Sequence, residues 1–249
     1  TSVMENAAKG IKKVALELGG KSPNIILDDA DLQKAVARGM MHMANNTGQS
    51  CNAPSRMLAP KAKYEEVVQI AAATANAIKV QAPGNAEKGA IGPLANANQF
   101  QKVQGLIQKG IDEGARVAAG GVGRPEGFNR GYYVKPTVFA DVNNNMTIAR
   151  EEIFGPVLVV IPYESEEEAI KIANDTPYGL AAYVQGSEEK ARRVARKLRA
   201  GNVHINGAFG GLGTPFGGYK QSGLGREGGH FGLEEFLEVK AAIGWGEQA

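Results

Sequence analysis

This sequence predicts an α/β fold, a largely parallel twisted sheet flanked by helices, and three observations carry that expectation. Apolar residues recur at helical spacing in five separate stretches. Short strand-like runs stand between those stretches, and alternation of this kind is the signature of βαβ construction. The chain has 249 residues, 43% of them hydrophobic, which is enough to bury a core without disulfides or metal and suits one large or two small domains.

In chain order, Val14 to Leu18 and Asn24 to Leu27 read as strands. Over residues 31–45, Leu32, Ala35, Val36, Gly39, Met40 and Met43 fall on one helical stripe. Arg56 to Ala59 is a strand, and Tyr64, Val67, Val68, Ala71, Ala72, Ala75 and Ile78 form a second stripe. Phe100, Val103, Leu106, Ile107 and Ile111 mark a third helix, followed by strand-like runs at Tyr132 to Phe139 and Val157 to Tyr163. Ser165 with Glu168 is a capping box that opens a helix carrying Ala169, Ile170 and Ala173. After a strand at Ala181 to Val184, the helix Ser187 to Arg199 has a Ser cap, Glu188 and Glu189 in its first turn, basic residues in its last, and Gly201 just beyond. Asn202 to Asn206 is a further strand. The stretch 207–232, with 11 glycines among 26 residues, reads as an extended functional loop, and Phe236 to Ile243 as a last strand.

Composition removes several classes of function. With 28 basic and 26 acidic side chains the net charge is 28 − 26 = +2, which leaves no electrostatic footprint for nucleic acid. No run of about 18 apolar residues is present to span a membrane, and no secretory leader pattern opens the sequence. Cys51 is the single cysteine, so no intrachain disulfide forms, and a reducing, cytoplasmic setting is expected. The three histidines, His42, His204 and His230, lack metal-ligand spacing, so no metal site is expected. Gly223 to Gly228 fits a GxGxxG string but follows a polar run rather than a strand, so it reads as loop.

Two residues carry candidate chemistry. A lone cysteine is commonly a small buried hydrophobe. Cys51, however, is flanked by Gly48, Gln49, Ser50 and Asn52, where backbone amides can converge on a thiolate or an oxyanion. Glu17 stands inside Val14-Ala15-Leu16-Glu17-Leu18. It is either a solvent-facing strand residue or a carboxylate at a strand end, made a general base by apolar neighbours.

The order Leu16-Glu17-Leu18-Gly19-Gly20-Lys21-Ser22-Pro23, Gly48-Gln49-Ser50-Cys51, Glu151 to Val157, and Pro215-Phe216-Gly217-Gly218-Tyr219-Lys220 resembles the aldehyde dehydrogenase superfamily along essentially the whole chain. The resemblance implies a nucleophilic Cys51 and a general base at Glu17. It implies contacts to a nicotinamide cofactor, NAD or NADP, from Glu152, Phe154, Gln99, Lys102 and Gly19. It puts Phe216 near the substrate entrance, with Gly210 at a position often aromatic in relatives, hence a roomier or reshaped pocket. By the same resemblance, an aldehyde adds to the Cys51 thiolate, and the thiohemiacetal loses hydride to leave a thioester. Water activated by Glu17 then releases the acid.

The resemblance further implies a homodimer or homotetramer. It assigns residues 1–20 to the tail of a cofactor domain, 21–218 to the catalytic domain, and 219–249 to a return to the cofactor domain with an intersubunit strand. Members of the family run to roughly twice this length, so cofactor binding by this chain alone is an open expectation. The alternative reading is a non-catalytic fragment that keeps the fold or an assembly role.

Overall fold

A computed structural model describes residues 1–84 and 86–246. The chain runs α1 (Ser2–Ala8), β1 (Leu16–Glu17), β2 (Pro23–Ile26), α2 (Leu32–Ala44), β3 (Arg56–Pro60), α3 (Tyr64–Ala77), α4 (Ala97–Asp112), β4 (Arg116–Ala119), β5 (Thr137–Ala140), α5 (Thr147–Arg150), β6 (Val157–Tyr163), α6 (Glu166–Asn174), β7 (Ala181–Gln185), α7 (Glu188–Ala195), β8 (Asn202–Ile205), β9 (Gly223–Leu224) and α8 (Gly229–Glu234). Seven strands make one sheet in the order β4-β5-β6-β3-β2-β7-β8. Every neighbouring pair is parallel except β4 with β5. The α/β architecture expected from the sequence is therefore present.

Strand periodicity explains how this sheet carries two cores. On β6, Val157, Val159 and Ile161 join one apolar cluster with Phe100, Val103, Ile107, Ala169 and Val194. Leu158 and Val160 face the other way, into a cluster with Val36, Met40, Met43, Val67 and Ala71. Successive strand residues point to opposite faces, so a sheet covered by helices on both sides reads as a continuous apolar run. One buried cation stitches the layers together. The Arg56 guanidinium, fully buried, donates to the Lys21 carbonyl at 2.9 Å, Asn144 Oδ1 at 2.9 Å, the Ile172 carbonyl at 3.0 Å and the Ala173 carbonyl at 2.9 Å. It thereby satisfies carbonyls near the end of α6. Burial brings Arg56 down to about 10, which leaves it charged at neutral pH.

Several expected elements differ. The first strand shrinks to Leu16–Glu17 and pairs with β9 alone, outside the main sheet. Of Tyr132 to Phe139 only the end is strand, because Pro136 lacks an N–H to donate to a ladder. β4 and α1 were not expected. The helix opened by Ser187 ends at Ala195, and Ser187 does not cap it; its backbone N–H turns instead to Asp29 Oδ1 at 3.3 Å. Ser165 does cap α6, accepting from the Glu168 N–H at 3.2 Å. Phe236 to Ile243 is not a strand. Phe236, Val239 and Ile243 are exposed there; a strand exists only through its ladder, and no segment among the described residues pairs with this one. Among the described residues no helix is long and apolar enough to cross a membrane, and no cluster of metal-ligating side chains is found.

Candidate active site

Three chain segments distant in sequence meet at Cys51 through bare backbone. After α2 the chain reverses on Asn46 and Thr47, at φ 51° and 58°, and on Gly48, at φ 71°. A Cβ on Gly48 would collide with the Gly155 carbonyl, so the turn before Cys51 lies directly on the segment after α5. A Cβ on Gly20 would collide with the Cys51 carbonyl, so the end of the Glu17 segment closes on the other side. Glycine is required at both places by close approach, and at Gly48 by its positive φ as well.

The Glu17 carboxylate is near enough to the Cys51 thiol to act on its ionisation. Burial of the half-exposed thiol, then the hydrogen bond and negative charge of Glu17, push Cys51 up to about 12 from 9.0. The backbone N–H groups of Asn52 and Cys51 act the opposite way and favour the thiolate, as the small polar neighbours suggested. The apolar enclosure expected around Glu17 is not formed. Glu17 is exposed on a two-residue strand at the surface, where only β9 covers one edge.

Glu152 folds back onto the glycine pair. The Gly20 N–H donates to its Oε1 at 3.0 Å, and a Cβ on Gly19 would stand 2.5 Å from Oε2, so the carboxylate lies flat on that backbone. Phe154 is half-buried in a left-handed conformation, φ 56°. Gln99 holds it there, since its side-chain amide donates to the Ile153 carbonyl at 3.0 Å and the Phe154 carbonyl at 2.8 Å. Lys102 stands exposed one turn further along α4.

Phe216 lines a groove with Leu16, Glu17, Arg226 and Glu227. Its backbone exchanges two hydrogen bonds with Glu227, at 2.7 and 2.6 Å. Gly210 does not reach this groove. A side chain there would meet Thr214 Oγ1 at 2.5 Å, so Thr214 fills the space that was expected to widen the pocket.

Sequence reasoning passed over three residues around this centre. Ser222, fully buried, donates to the Gly19 carbonyl at 2.6 Å and accepts from the Gly179 N–H at 2.9 Å. The Tyr183 hydroxyl donates to the Asn52 carbonyl at 3.0 Å, bracing the residue after Cys51. Lys21 is 1% exposed, and its Nζ has no hydrogen-bond partner among the described residues. Lys21 stands two residues before β2, between Gly20 and Ser22, and no apolar pattern there signals the burial.

Comparisons with known proteins agree on one family. A family model described as "Aldehyde dehydrogenase family" matches residues 1–242. A 3-succinoylsemialdehyde-pyridine dehydrogenase from a Pseudomonas species is 56% identical over 246 residues, 98% of this chain and 51% of that protein. Among solved structures, Pseudomonas syringae aldehyde dehydrogenase C, a Cys-to-Ala variant bound to NAD+ and octanal, superposes with TM-score 0.96 at 51% identity, covering 99% of this chain and 51% of that one. A Mycobacterium tuberculosis aldehyde dehydrogenase complexed with NAD+ gives TM-score 0.93 at 46% identity, with 99% and 51% covered. The chain thus spans about half the length of the relatives it matches.

Proposed function

The chain belongs to the aldehyde dehydrogenase family, and on that premise we propose that it carries the catalytic centre for NAD(P)-dependent oxidation of an aldehyde to a carboxylic acid. The observation that carries the reading is the Glu17 carboxylate set against the Cys51 thiol with main-chain N–H groups beside it. Cys51 first loses its proton, a step favoured by the N–H groups of Cys51 and Asn52. Its sulfur then adds to the aldehyde carbon, and the backbone N–H of Cys51 stabilises the developing oxyanion. When bound, the nicotinamide cofactor accepts the hydride. Glu17 then takes a proton from the water that attacks the Cys51 thioester, releasing the acid and freeing the thiol.

The residues present fit the nicotinamide end of such a cofactor. Glu152 offers a half-exposed carboxylate to ribose hydroxyls beside side-chain-free backbone at Gly19, and Phe154 offers a half-exposed ring. Gln99 serves this site by holding Phe154, and Lys102 is the nearby cation of α4. NAD+ in neighbouring structures supports a cofactor of that type. We further propose that 1–20 and 219–249 form a unit apart from the catalytic 21–218, which the β1–β9 pairing outside the main sheet supports. A homo-oligomeric assembly and a cytoplasmic setting, which suits a thiol nucleophile, complete the proposal.

The test is NADH formation with a panel of short aldehydes on material of verified intact mass. Cys51→Ala is expected to abolish it, and Glu17→Gln to keep a first burst while slowing steady turnover. Full steady-state turnover in Glu17→Gln refutes the general-base role. Absence of turnover in the unaltered chain favours the non-catalytic alternative.

A further inference from the structure

A second cavity, of about 350 Å³, opens beside α2, with Arg38, Met41, His42, Asn45, Ile91 and Phe209 among its lining residues. It shares no residue with the groove at Phe216. Arg38, His42 and Asn45 are four and three residues apart, so they line one face of the helix. That face runs about 10 Å, at 1.5 Å per residue, from Arg38 to the turn that carries Cys51. A second connection to Cys51 is aromatic. The His42 ring stands edge-on to Tyr183 at 5.1 Å, and the Tyr183 hydroxyl donates to the Asn52 carbonyl at 3.0 Å.

The two ends of the cavity differ in chemistry. Phe209, 75% exposed, leans on the rings of His42 and His204 at 5.6 and 5.9 Å, and leaves most of its own surface free for a ligand. At the other end the half-buried Arg38 guanidinium donates to the neutral Gln185 side-chain oxygen at 2.5 Å. It lies flat on the backbone of Gly207, where a Cβ would stand 2.7 Å from the guanidinium carbon. Arg116, Arg150, Arg192 and Arg193 each meet a carboxylate. Arg38 meets none among the described residues. The charged groups facing His42 are His204 and Arg38, so this end is positive with no acid to balance it. A guanidinium held in place with N–H groups to spare is suited to a carboxylate, which it can grip with two parallel hydrogen bonds.

We propose that this cavity takes the far end of the substrate and that Arg38 binds a carboxylate there, so that the substrate class is an aldehyde whose other end is an acid. The proposal rests on the reading of Cys51 as nucleophile. Met41, His42 and Phe209 pack the carbon chain between the two ends, and Arg38 selects for charge.

The test needs neither cofactor nor turnover. Octanoate is the probe, and octanamide is its counterpart of equal length without the charge. Each is added while iodoacetamide labels Cys51 at about pH 8, and incorporation is followed by mass spectrometry. Octanoate should slow labelling saturably, and about tenfold more octanamide should be needed for the same protection. In Arg38→Gln, whose amide can still reach Gln185, octanoate should lose that advantage. Equal protection by the two compounds in the unaltered chain, no protection by octanoate, or an advantage that survives Arg38→Gln each overturns the inference. The comparison within the unaltered chain decides the matter even if Arg38→Gln fails to fold. In turnover, kcat/KM should be higher for an aldehyde ending in a carboxylate than for its methyl ester, and Arg38→Gln should remove the difference. Absence of NADH formation with every aldehyde counts against the catalytic reading and leaves the protection result standing, whereas equal protection leaves the roles of Cys51 and Glu17 untouched.

Discussion

Replacing Glu17 by Gln should make Cys51 more reactive towards a neutral alkylating agent, although Glu17 is proposed as a catalytic base. The structure supplies the reasoning. Cys51 is pushed from 9.0 to about 12, a penalty of about 4 kcal/mol on ionisation at 1.36 kcal/mol per unit. At pH 8 that leaves roughly one thiolate in ten thousand, against about one in ten for an ordinary thiol of this kind. Only the thiolate attacks iodoacetamide. Burial is the largest cause and survives the substitution, whereas the hydrogen bond to the carboxylate and its charge do not. The alkylation rate at pH 8 should therefore rise, yet by less than the roughly thousandfold that would restore an ordinary thiol. The assay is the pH dependence of iodoacetamide incorporation at Cys51, followed by mass spectrometry, with Glu17→Gln beside the unaltered chain. A rate that is unchanged or lower in Glu17→Gln would refute the claim that Glu17 suppresses the thiolate.

Other perturbations test the surroundings. Lys21→Met should alter stability in a pH-dependent way. The folded amine titrates near 7 and the unfolded one near 10.5, so between those values the unfolded chain binds more protons. Stability then rises with pH across that window, by up to about 5 kcal/mol on an order-of-magnitude basis. Urea titrations at about pH 7 and about pH 10 should show this rise in the unaltered chain and lose it in Lys21→Met; an equal rise in both contradicts the burial of the charge. Ser222→Ala strips the Gly179 N–H and the Gly19 carbonyl of their buried partner and should cost about 2 kcal/mol or more. A midpoint in urea unmoved by the change would show that water replaces the hydroxyl. Gly48→Ala combines a positive φ with a clash against Gly155. It should destabilise by more than the roughly 1–3 kcal/mol of backbone strain alone, and near-normal stability by thermal unfolding would rule out the close approach.

Residues buried on both sides of the sheet were the easiest to read from sequence. Val157 to Tyr163 is strand over the whole of its apolar run because every position packs against a helix layer. Leu32 to Met43 is helical where its stripe says, since the stripe faces a single cluster. Illegible elements were those whose side chains do not report their backbone. Arg116 and Val117 face water on a short antiparallel edge, so β4 leaves no apolar pattern. Phe236 to Ile243 shows the reverse, a strand-like pattern with no ladder to join. In the site, Cys51 and Glu17 stand out by their neighbours. Sequence names Gln99 but not the direction of its amide, and it names Lys21 without saying that the amine is sealed in. Both depend on which backbone atoms pack three segments together.

The backbone-to-backbone closure at Gly20, Cys51 and Gly155 has a consequence in time. The groups that build the centre come from residues 17–20, 48–52, 152–155 and 222, so their contacts span most of the sequence and the entropy of closing those loops must be overcome before any of them forms. The centre is therefore among the last features to assemble. During synthesis Cys51 emerges long before Ser222, the residue that braces Gly19, has been added. Throughout that interval its sulfur is an ordinary exposed thiol, open to oxidants that the finished fold, by keeping it protonated, turns away.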